Sequence, residues 1–443
     1  MVDEPPLEIK TLFLMIAIRR NKLVFVLTIG FILLIKSYFL WNTFHNGDFS
    51  ETKILKSGDA GHYFKIAKNL SEFKSYADNG TSIANESATW RPPIWPFTLS
   101  LFFYITTHPL TLLILKVLFE TFLLVTAVIY FYRKNNYSLI FFGALLLLLI
   151  EPQYLKYSVT FLSESFTAVL ILLLSMLFMQ LQKNKAPNVL APIVAAVTVM
   201  CHPVSVFFVV TLLGIYLLFH LKNHIKRTIL HGLLFSFIVL SWPMRNALLF
   251  DKGFYFTASQ GSAFSKSWNE KVLTDFTNVD GDLADENLNL KYIEAKELKN
   301  PNNGVLEYSK LYQKGTWNYI KSLSFSQQVK TALRKLKSNF NPFPEKPKAG
   351  FFESLSILFR IIYLLVFVQL LIRLLSWKKI DFNSHRDKAF MVVLAVLLGQ
   401  TLMSIYIYTG LRFNTVYSLT LLFCFLLINQ QWVTDKINRL TNK

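Results

Sequence analysis

The chain has 443 residues, of which 53% are hydrophobic and only 16% are charged, whereas an ordinary soluble protein carries about 25% charged residues. Residues 251–350 hold 26 of the 73 Lys, Arg, Asp and Glu residues, so the rest of the chain is poorer still in charge. This composition excludes a single water-soluble domain and predicts an all-α polytopic membrane protein. The net charge of +19 does not indicate a nucleic-acid partner, because basic loop residues also set the orientation of membrane helices.

Uncharged windows predict about ten transmembrane helices, each needing about 20 apolar residues to cross the bilayer. The window 186–221 has no Asp, Glu, Lys or Arg over 36 residues. It is too long for one span, and His202-Pro203 divides it into two helices. The other predicted spans lie near residues 23–41, 109–131, 137–152, 165–182, 228–244, 352–374, 389–411 and 413–434.

Short basic clusters predict the orientation of these spans, because Lys and Arg near span ends are retained on the cytoplasmic side. The clusters are Arg19, Arg20 and Lys22; Arg133 and Lys134; Lys183 and Lys185; Lys222, Lys226 and Arg227; Lys378 and Lys379; and Lys436 and Arg439. With ten spans they all fall on one side, which places both termini in the cytoplasm. We therefore expect a multi-pass protein of the cell inner membrane, partnered by the lipid bilayer. Its parts are an N-terminal membrane module (1–249), an extracytoplasmic cap segment (250–350) and a C-terminal membrane module (351–443).

Loop 43–108 is predicted to lie outside the membrane and to contain two juxtamembrane helices. In the stretch GDAGHYFKIAKNLSEF, apolar residues recur at helical spacing from Tyr63 to Phe73 while lysines take the other faces. This pattern is typical of a helix lying along a membrane surface. A Pro-rich turn, WRPPIWP, follows it and leads into about 13 apolar residues, too few for a span.

The cap segment begins irregularly and then shows two helix patterns, near 305–323 and 325–338. Its acidic run DFTNVDGDLADE fails the EF-hand template, because Phe276 stands where an acid is needed five residues before Gly281. The run is therefore interpreted as a solvated loop. With no nucleophile motif, the segment is predicted to cover the membrane part as a mostly helical cap.

Asp59 is the most informative acid, because it precedes the predicted surface helix on the outer side. An Asp in this position is commonly an N-cap that accepts backbone N–H bonds, worth about 1 kcal/mol. It is also suited to act as a general base at the membrane surface. The two roles are compatible.

Three arginines lie at predicted outer ends of apolar elements: Arg91 in WRPPIWP, Arg245 in WPMRN and Arg412 in TGLRFN. A single arginine at a span end commonly snorkels to the interface. Three on one side indicate a phosphate site, since guanidinium groups bind phosphate oxygens bidentately. A phosphate at a membrane surface indicates a phospholipid-like ligand.

Other ionisable residues lie within apolar stretches. Glu164 in FLSES is predicted at the outer mouth of a helix, and Lys116 and Glu120 are expected to form a structural ion pair inside another. His62 and His202 are predicted outside, where each either lines a site or is structural. No histidine motif specifies zinc, and Cys201 and Cys424 support neither a disulfide framework nor a metal site.

Taken in order, GDAGHY, WRPPIWP, LSES, WPMRN and GLRFN resemble the GT-C superfamily of glycosyltransferases. The likeness is to bacterial members related to protein O-mannosyltransferases and lipid A aminoarabinose transferases, and it runs from about residue 20 to 430. The relatives have Gly and Tyr where this chain has Ile94 and Trp95, and many have a second acid after the Asp where it has Ala60.

The resemblance implies a GT-C-like fold and transfer of a sugar from a polyprenyl-phosphate carrier to a glycan, lipid or protein acceptor on the extracytoplasmic face. It makes Asp59 the catalytic base of an inverting single displacement. No cofactor is assigned, and a divalent metal stays open. The residues expected to bind substrate are Arg91, Arg245, Arg412, Glu164, His62, Tyr63 and His202.

Three alternatives to this transferase remain open. A flippase or transporter of lipid-linked sugars predicts charges accessible from both sides of the membrane. An O-antigen polymerase or ligase predicts paired arginines in a large outer loop. A structural membrane protein predicts no pocket at the outer acid. A cavity that joins Asp59 to at least one of the three arginines would separate the transferase from the structural protein.

Overall fold

The structure, a computed structural model, describes residues 26–27, 29–44, 48–56, 58–135, 150–181, 188–274, 285–300, 304–340, 351–376, 381, 384–407 and 411–441. Within these ranges the chain is all-helical and forms no β-strand. The predicted span 137–152 lies almost entirely outside them, as do most of the acidic run and the basic residues Arg19, Arg20, Lys22, Lys183, Lys185, Lys378 and Lys379.

The helices of the first half alternate between long apolar segments and short connecting pieces. They are α1 (Ile29–Thr43), α2 (Glu51–Ile54), α3 (Gly58–Phe73), α4 (Ile94–Phe103), α5 (Pro109–Asn135), α6 (Pro152–Ser158), α7 (Glu164–Met179), α8 (Leu190–Cys201) and α9 (Val206–Phe250). Helices α3 and α4 confirm the two helices that the sequence predicts within residues 43–108.

The second half contains the cap segment followed by three long helices. The helices are α10 (Gln260–Ser267), α11 (Glu270–Thr274), α12 (Ala295–Leu298), α13 (Val305–Ser322), α14 (Phe325–Phe340), α15 (Phe351–Leu375), α16 (His385–Tyr406) and α17 (Leu411–Thr441). Helices α13 and α14 confirm the two predicted patterns. The expectation of an irregular start was wrong for α10, which packs against α13 through a close approach of Gly261 to the backbone of Ser309.

In the described part of the chain, five helices are long and apolar enough to cross a membrane. They are Pro109–Phe131, His224–Phe250, Ser354–Leu375, His385–Tyr406 and Phe413–Gln430. The chain therefore has the character of a helical membrane protein.

Helix α7 lies at the centre of the bundle. Its 16 residues rise only about 24 Å, less than the roughly 30 Å of a hydrocarbon core. It is nevertheless buried on nearly every side, between α17, α8, α5 and α16. A helix that is apolar all round is expected in such a central position.

Two breaks shape the long apolar region after α7. Helix α8 ends at Cys201, His202 is extended, and Pro203 opens a single 3₁₀ turn before α9, which confirms the predicted division. Helix α9 then kinks at His224, whose φ of −141° and ψ of 42° are not helical. The predicted basic cluster around residues 222–227 therefore coincides with a kink rather than with a loop.

A buried ion pair ties α5 to the segment that precedes α7. Lys116 Nζ lies 3.0 Å from Glu120 Oε1, and both side chains are fully buried. Lys116 also donates to the carbonyl of Ser158 at 2.7 Å and to the hydroxyl of Ser165 at 2.9 Å, which in turn donates to Glu120. The structure thus contains the predicted structural pair, and the pair holds the entry to α7 in place.

The cap segment packs on the ends of α16 and α17. Trp268 Nε1 and Lys335 Nζ both donate to the carbonyl oxygen of Ile405, at 2.7 and 2.8 Å. A cation at a helix C-terminus interacts favourably with the helix dipole and satisfies a carbonyl that has no partner within the helix. This contact places α10 beside the break at His202.

Candidate active site

A cavity of about 380 Å³ lies where α3, the breaks before α7 and α9, and the cap segment meet. Six separate stretches of the chain form its wall. The lining residues are Asp59, Tyr63, Trp90, Arg91, Pro92, Glu164, His202, Pro203, Val204, Thr257, Ser259, Gln260, Ser262, Ala263, Lys266, Tyr406, Ile407 and Phe413. Five of the eight predicted site residues are therefore brought together in one place.

Asp59 and Arg91 form the charged centre of this cavity. Helix α3 begins at Gly58, so Asp59 is in its first turn rather than at the N-cap, where a carboxylate is favoured by the helix dipole. Arg91 Nη2 donates to Asp59 Oδ1, and the two side chains are 17% and 24% exposed. The pair is thus accessible from the cavity but sheltered from bulk water.

His62 and Asp78 hold Arg91 in place through a series of hydrogen bonds. Arg91 Nε donates to His62 Nδ1 at 3.2 Å, and His62 Nε2 lies 2.9 Å from Asp78 Oδ2. Because a guanidinium nitrogen only donates, Nδ1 is the acceptor and the ring proton is on Nε2, where it is donated to Asp78. His62 therefore does not line the cavity as a substrate ligand. It fixes the orientation of the arginine.

Asp78 is the end of this chain of hydrogen bonds and was not predicted from the sequence. It also accepts from the side chains of Ser87 and Asn85. The hydrogen bond from His62 is the main reason why the pKa of Asp78 is lowered below its ordinary value of 3.8, with those from Ser87 and Asn85 adding to it. In the sequence, Asp78 stands in an Asp-Asn-Gly stretch that reads as an ordinary turn.

Two tyrosines hold the arginine and its backbone. The guanidinium carbon of Arg91 lies 5.3 Å from the ring centre of Tyr63, a cation–π geometry. Tyr63 also pairs with the hydroxyl of Ser163 at 3.2 Å, and burial raises the pKa of its phenol. Tyr76 donates to the carbonyl oxygen of Arg91 at 2.9 Å. The position of the guanidinium is therefore fixed from several sides.

Glu164 and His202 form the second polar pair of the cavity. Glu164 opens α7 and is only 2% exposed, and its Oε1 lies 3.9 Å from His202 Nε2. His202 Nδ1 accepts from the backbone N–H of Val204, so the other ring nitrogen faces the carboxylate. The break at His202-Pro203 thus places the imidazole of His202 next to the buried carboxylate of Glu164 at the cavity wall.

Lys266 is a cation of the cavity that sequence reasoning missed. It is on α10, in the cap segment, and its Nζ lies 3.5 Å from Glu286 Oε2. The hydroxyl-bearing residues Thr257, Ser259 and Ser262 line the same wall. The cap segment therefore contributes polar groups and a positive charge to the cavity.

Of the other two predicted arginines, the structure describes the side chain of Arg245, which does not join Asp59 as expected. Arg245 does not line the cavity, because its guanidinium stacks on Trp242 at 4.6 Å and on Tyr76 at 5.5 Å. It is a packing residue that supports Tyr76. The side chain of Arg412, in the first turn of α17, lies outside the described part of the structure.

Within the described ranges, no three His, Cys, Asp or Glu side chains lie close enough together to hold a metal ion. Cys201 and Cys424 are both buried and unpaired with each other.

Comparisons of the chain with protein-family models, with curated proteins and with solved structures give no match.

Proposed function

We propose that the protein is a glycosyltransferase that moves a sugar from a polyprenyl-phosphate donor to an acceptor at the extracytoplasmic face of the membrane. The observation that supports this most is the Asp59–Arg91 pair in a cavity between a surface helix and the ends of apolar helices. A purely structural membrane protein would leave the outer acid without a pocket. The resemblance to GT-C glycosyltransferases gives Asp59 the same role.

The architecture proposed with this function has ten transmembrane helices in a GT-C-like arrangement. The five long helices would be joined by shorter apolar ones, among them α1, α7 and α8. Both termini would face the cytoplasm of a cell with an inner membrane, and the cavity would face the periplasm or exterior. This orientation follows from the basic clusters between the spans.

A donor phosphate would compete with Asp59 for Arg91. The guanidinium now donates to the carboxylate, and phosphate oxygens accept from the same fork of N–H groups. When the donor binds, Arg91 would turn from the carboxylate to the phosphate while His62 still holds its Nε. Asp59 would then be available for the acceptor hydroxyl.

The reaction that follows from this arrangement is a single displacement. The acceptor oxygen attacks the anomeric carbon and loses its proton to Asp59, while the bond from that carbon to the phosphate oxygen breaks. The leaving polyprenyl phosphate keeps the electron pair, and Arg91 stabilises its charge. Because a phosphate leaves without being protonated, one carboxylate is enough, whereas an ordinary glycoside requires a second, acidic one.

Lys266 would be the second phosphate ligand, in the place that the sequence assigned to Arg245. It lines the same cavity from the cap segment, so a phosphate bound between Lys266 and Arg91 would meet two positive charges. The pair of Glu164 and His202, deeper in the wall, would bind hydroxyl groups of the sugar or acceptor.

The test is to incubate purified protein in lipid vesicles with a panel of polyprenyl-phosphate sugars and acceptors, and to measure released polyprenyl phosphate. The proposal predicts release that depends on both donor and acceptor. Movement of intact donor across the vesicle membrane with no release would instead establish a flippase and contradict the proposal.

A further inference from the structure

A second cavity lies apart from the Asp59 site and shares no lining residue with it. It has a volume of about 60 Å³ and is lined from α14, α15, α16, α17 and the start of α6. Phe413 faces the Asp59 cavity, whereas the next residue, Asn414, lines the second one. The two cavities thus have separate walls.

Several buried polar atoms of this second cavity have no hydrogen-bond partner among the described residues. They are both side-chain amide atoms of Asn339, the Oε1 atom of Gln400 and the hydroxyl of Thr415. These residues are only 7%, 4% and 1% exposed. Leaving a buried polar atom unpaired costs about 1–3 kcal/mol, and three such side chains lining one space indicate a ligand.

The amides are arranged by a short series of hydrogen bonds. Gln400 Nε2 donates to Asn414 Oδ1 at 3.3 Å, and Asn414 Nδ2 donates to the backbone carbonyl of Asn339 at 3.1 Å. These bonds orient the side-chain amides of Gln400 and Asn414, and the Asn339 side chain forms none of them. They leave acceptors on Gln400 and Asn339, and a donor on Asn339.

The charges of the cavity favour an uncharged ligand. One acid, the buried Glu151, and one base, Arg360, line it. With at most one charge of each sign, the cavity offers no cluster of like charges to a strongly anionic or cationic group. Hydroxyl groups both donate and accept, so adjacent hydroxyls on one molecule satisfy both kinds of unpartnered atom.

The volume limits the size of that ligand. A group the size of a water molecule needs roughly 10–15 Å³ of cavity volume. The cavity of about 60 Å³ therefore accommodates about four to six such groups. That is the size of a three-carbon polyol or of one edge of a sugar ring. Tyr363 and Phe367 also line the cavity, and their aromatic rings can pack against the C–H groups of such a ligand.

We propose that this cavity is a binding site for a small uncharged polyol group, held by Asn339, Gln400 and Thr415. Leu364 lines it and is 42% exposed on the outside of α15, so the cavity lies next to the apolar surface of that helix. The polyol is supplied either as a free molecule or as the headgroup of a lipid. The site is independent of the transferase proposal.

The test uses the full chain in phosphatidylcholine nanodiscs and saturation-transfer difference NMR with glycerol as the probe. We expect saturation transfer to the glycerol protons of the wild type. The double variant Gln400→Leu with Thr415→Val should bind glycerol about tenfold or more weakly, since two hydrogen bonds are lost. Thr415→Val removes a hydroxyl that has no partner, and Gln400→Leu removes an unpartnered acceptor together with one hydrogen bond, from Nε2 to Asn414. Folding should be retained and is checked by thermal unfolding.

Thr420→Val is the matched control. Thr420 is on the same helix, is fully buried and also has an unpartnered hydroxyl, but it does not line the cavity. This variant should bind glycerol like the wild type. A wild type without saturation transfer, or a double variant with undiminished transfer, would overturn the proposal and leave a cavity for solvent only.

A second arm distinguishes the two sources of the polyol. Nanodiscs that contain phosphatidylglycerol present the glycerol group on a lipid. Loss of the free-glycerol signal in those nanodiscs assigns the site to a lipid headgroup, and an unchanged signal assigns it to a free polyol.

Discussion

Replacing Asp78 by Asn tests the hydrogen-bonded series from Asp78 through His62 to Arg91 without any knowledge of the substrate. The carboxylate accepts from His62 at 2.9 Å and from the side chains of Ser87 and Asn85. An amide is a weaker acceptor and turns an N–H group toward one of these donors. A hydrogen bond to a charged group contributes about 1.5–3 kcal/mol, so we expect the free energy of unfolding to fall by that amount at neutral pH.

The loss should depend on pH in a defined direction. The pKa of Asp78 is lower in the folded chain than its ordinary value of 3.8, so the charged carboxylate stabilises the fold above that value. This contribution is lost progressively as the pH falls from about 4, where the carboxylate takes up a proton in the unfolded chain, toward the lower pKa of the folded chain. The difference between wild type and Asp78→Asn should therefore be constant above pH 5 and shrink in acid.

The measurement is chemical unfolding in detergent micelles at several pH values, with Asp285→Asn as the control. Asp285 accepts from the backbone N–H of Asn287 as an exposed helix cap, a role in which Asn serves about as well. The control should behave like the wild type. If Asp78→Asn were as stable as wild type at pH 7, or if its deficit grew in acid, the inferred series of hydrogen bonds would be wrong.

Three further predictions concern the site and its supports. Lys116→Met should lower the free energy of unfolding by about 3–5 kcal/mol, because it leaves Glu120 charged and buried without its partner; adding Glu120→Leu should restore most of that loss in the same unfolding assay. Gly261→Ala should destabilise the protein by about 1–3 kcal/mol, because the new methyl group would overlap the carbonyl oxygen of Ser309; an unchanged unfolding midpoint would count against this packing. Lys266→Gln should raise the donor KM about tenfold or more, measured as release of polyprenyl phosphate against donor concentration, with Lys266→Arg recovering part of the loss.

The periodic part of the fold could be predicted from the sequence. The surface helix α3, the paired helices α13 and α14, and the break at His202-Pro203 all follow from apolar spacing or from proline. These features are local, so neighbouring residues determine them. The basic cluster at 222–227 marked a break between two spans at the position of His224, but not that the break is a kink within a continuous helix.

The site was predictable only as far as sequence motifs place residues at helix ends. Asp59, Arg91 and Glu164 were found in that way, since each stands at the start of a helix or next to a Pro-rich turn. Lys266 and Asp78 were missed, because their roles depend on tertiary packing that places α10 over the bundle and a turn behind His62. Arg245 was misassigned for the same reason, since the sequence does not show that its guanidinium stacks on Trp242.

The central claim is that Asp59 is the base of a sugar transfer from a polyprenyl-phosphate donor. It is tested by comparing Asp59→Asn with Asp251→Asn in the release of polyprenyl phosphate. Asp251 ends α9 outside the cavity with a φ of 50°, a conformation that Asn also tolerates. We expect Asp251→Asn to match the wild type and Asp59→Asn to lose about 10²–10⁴-fold in rate. A folded Asp59→Asn variant that keeps the full rate of release would contradict the account.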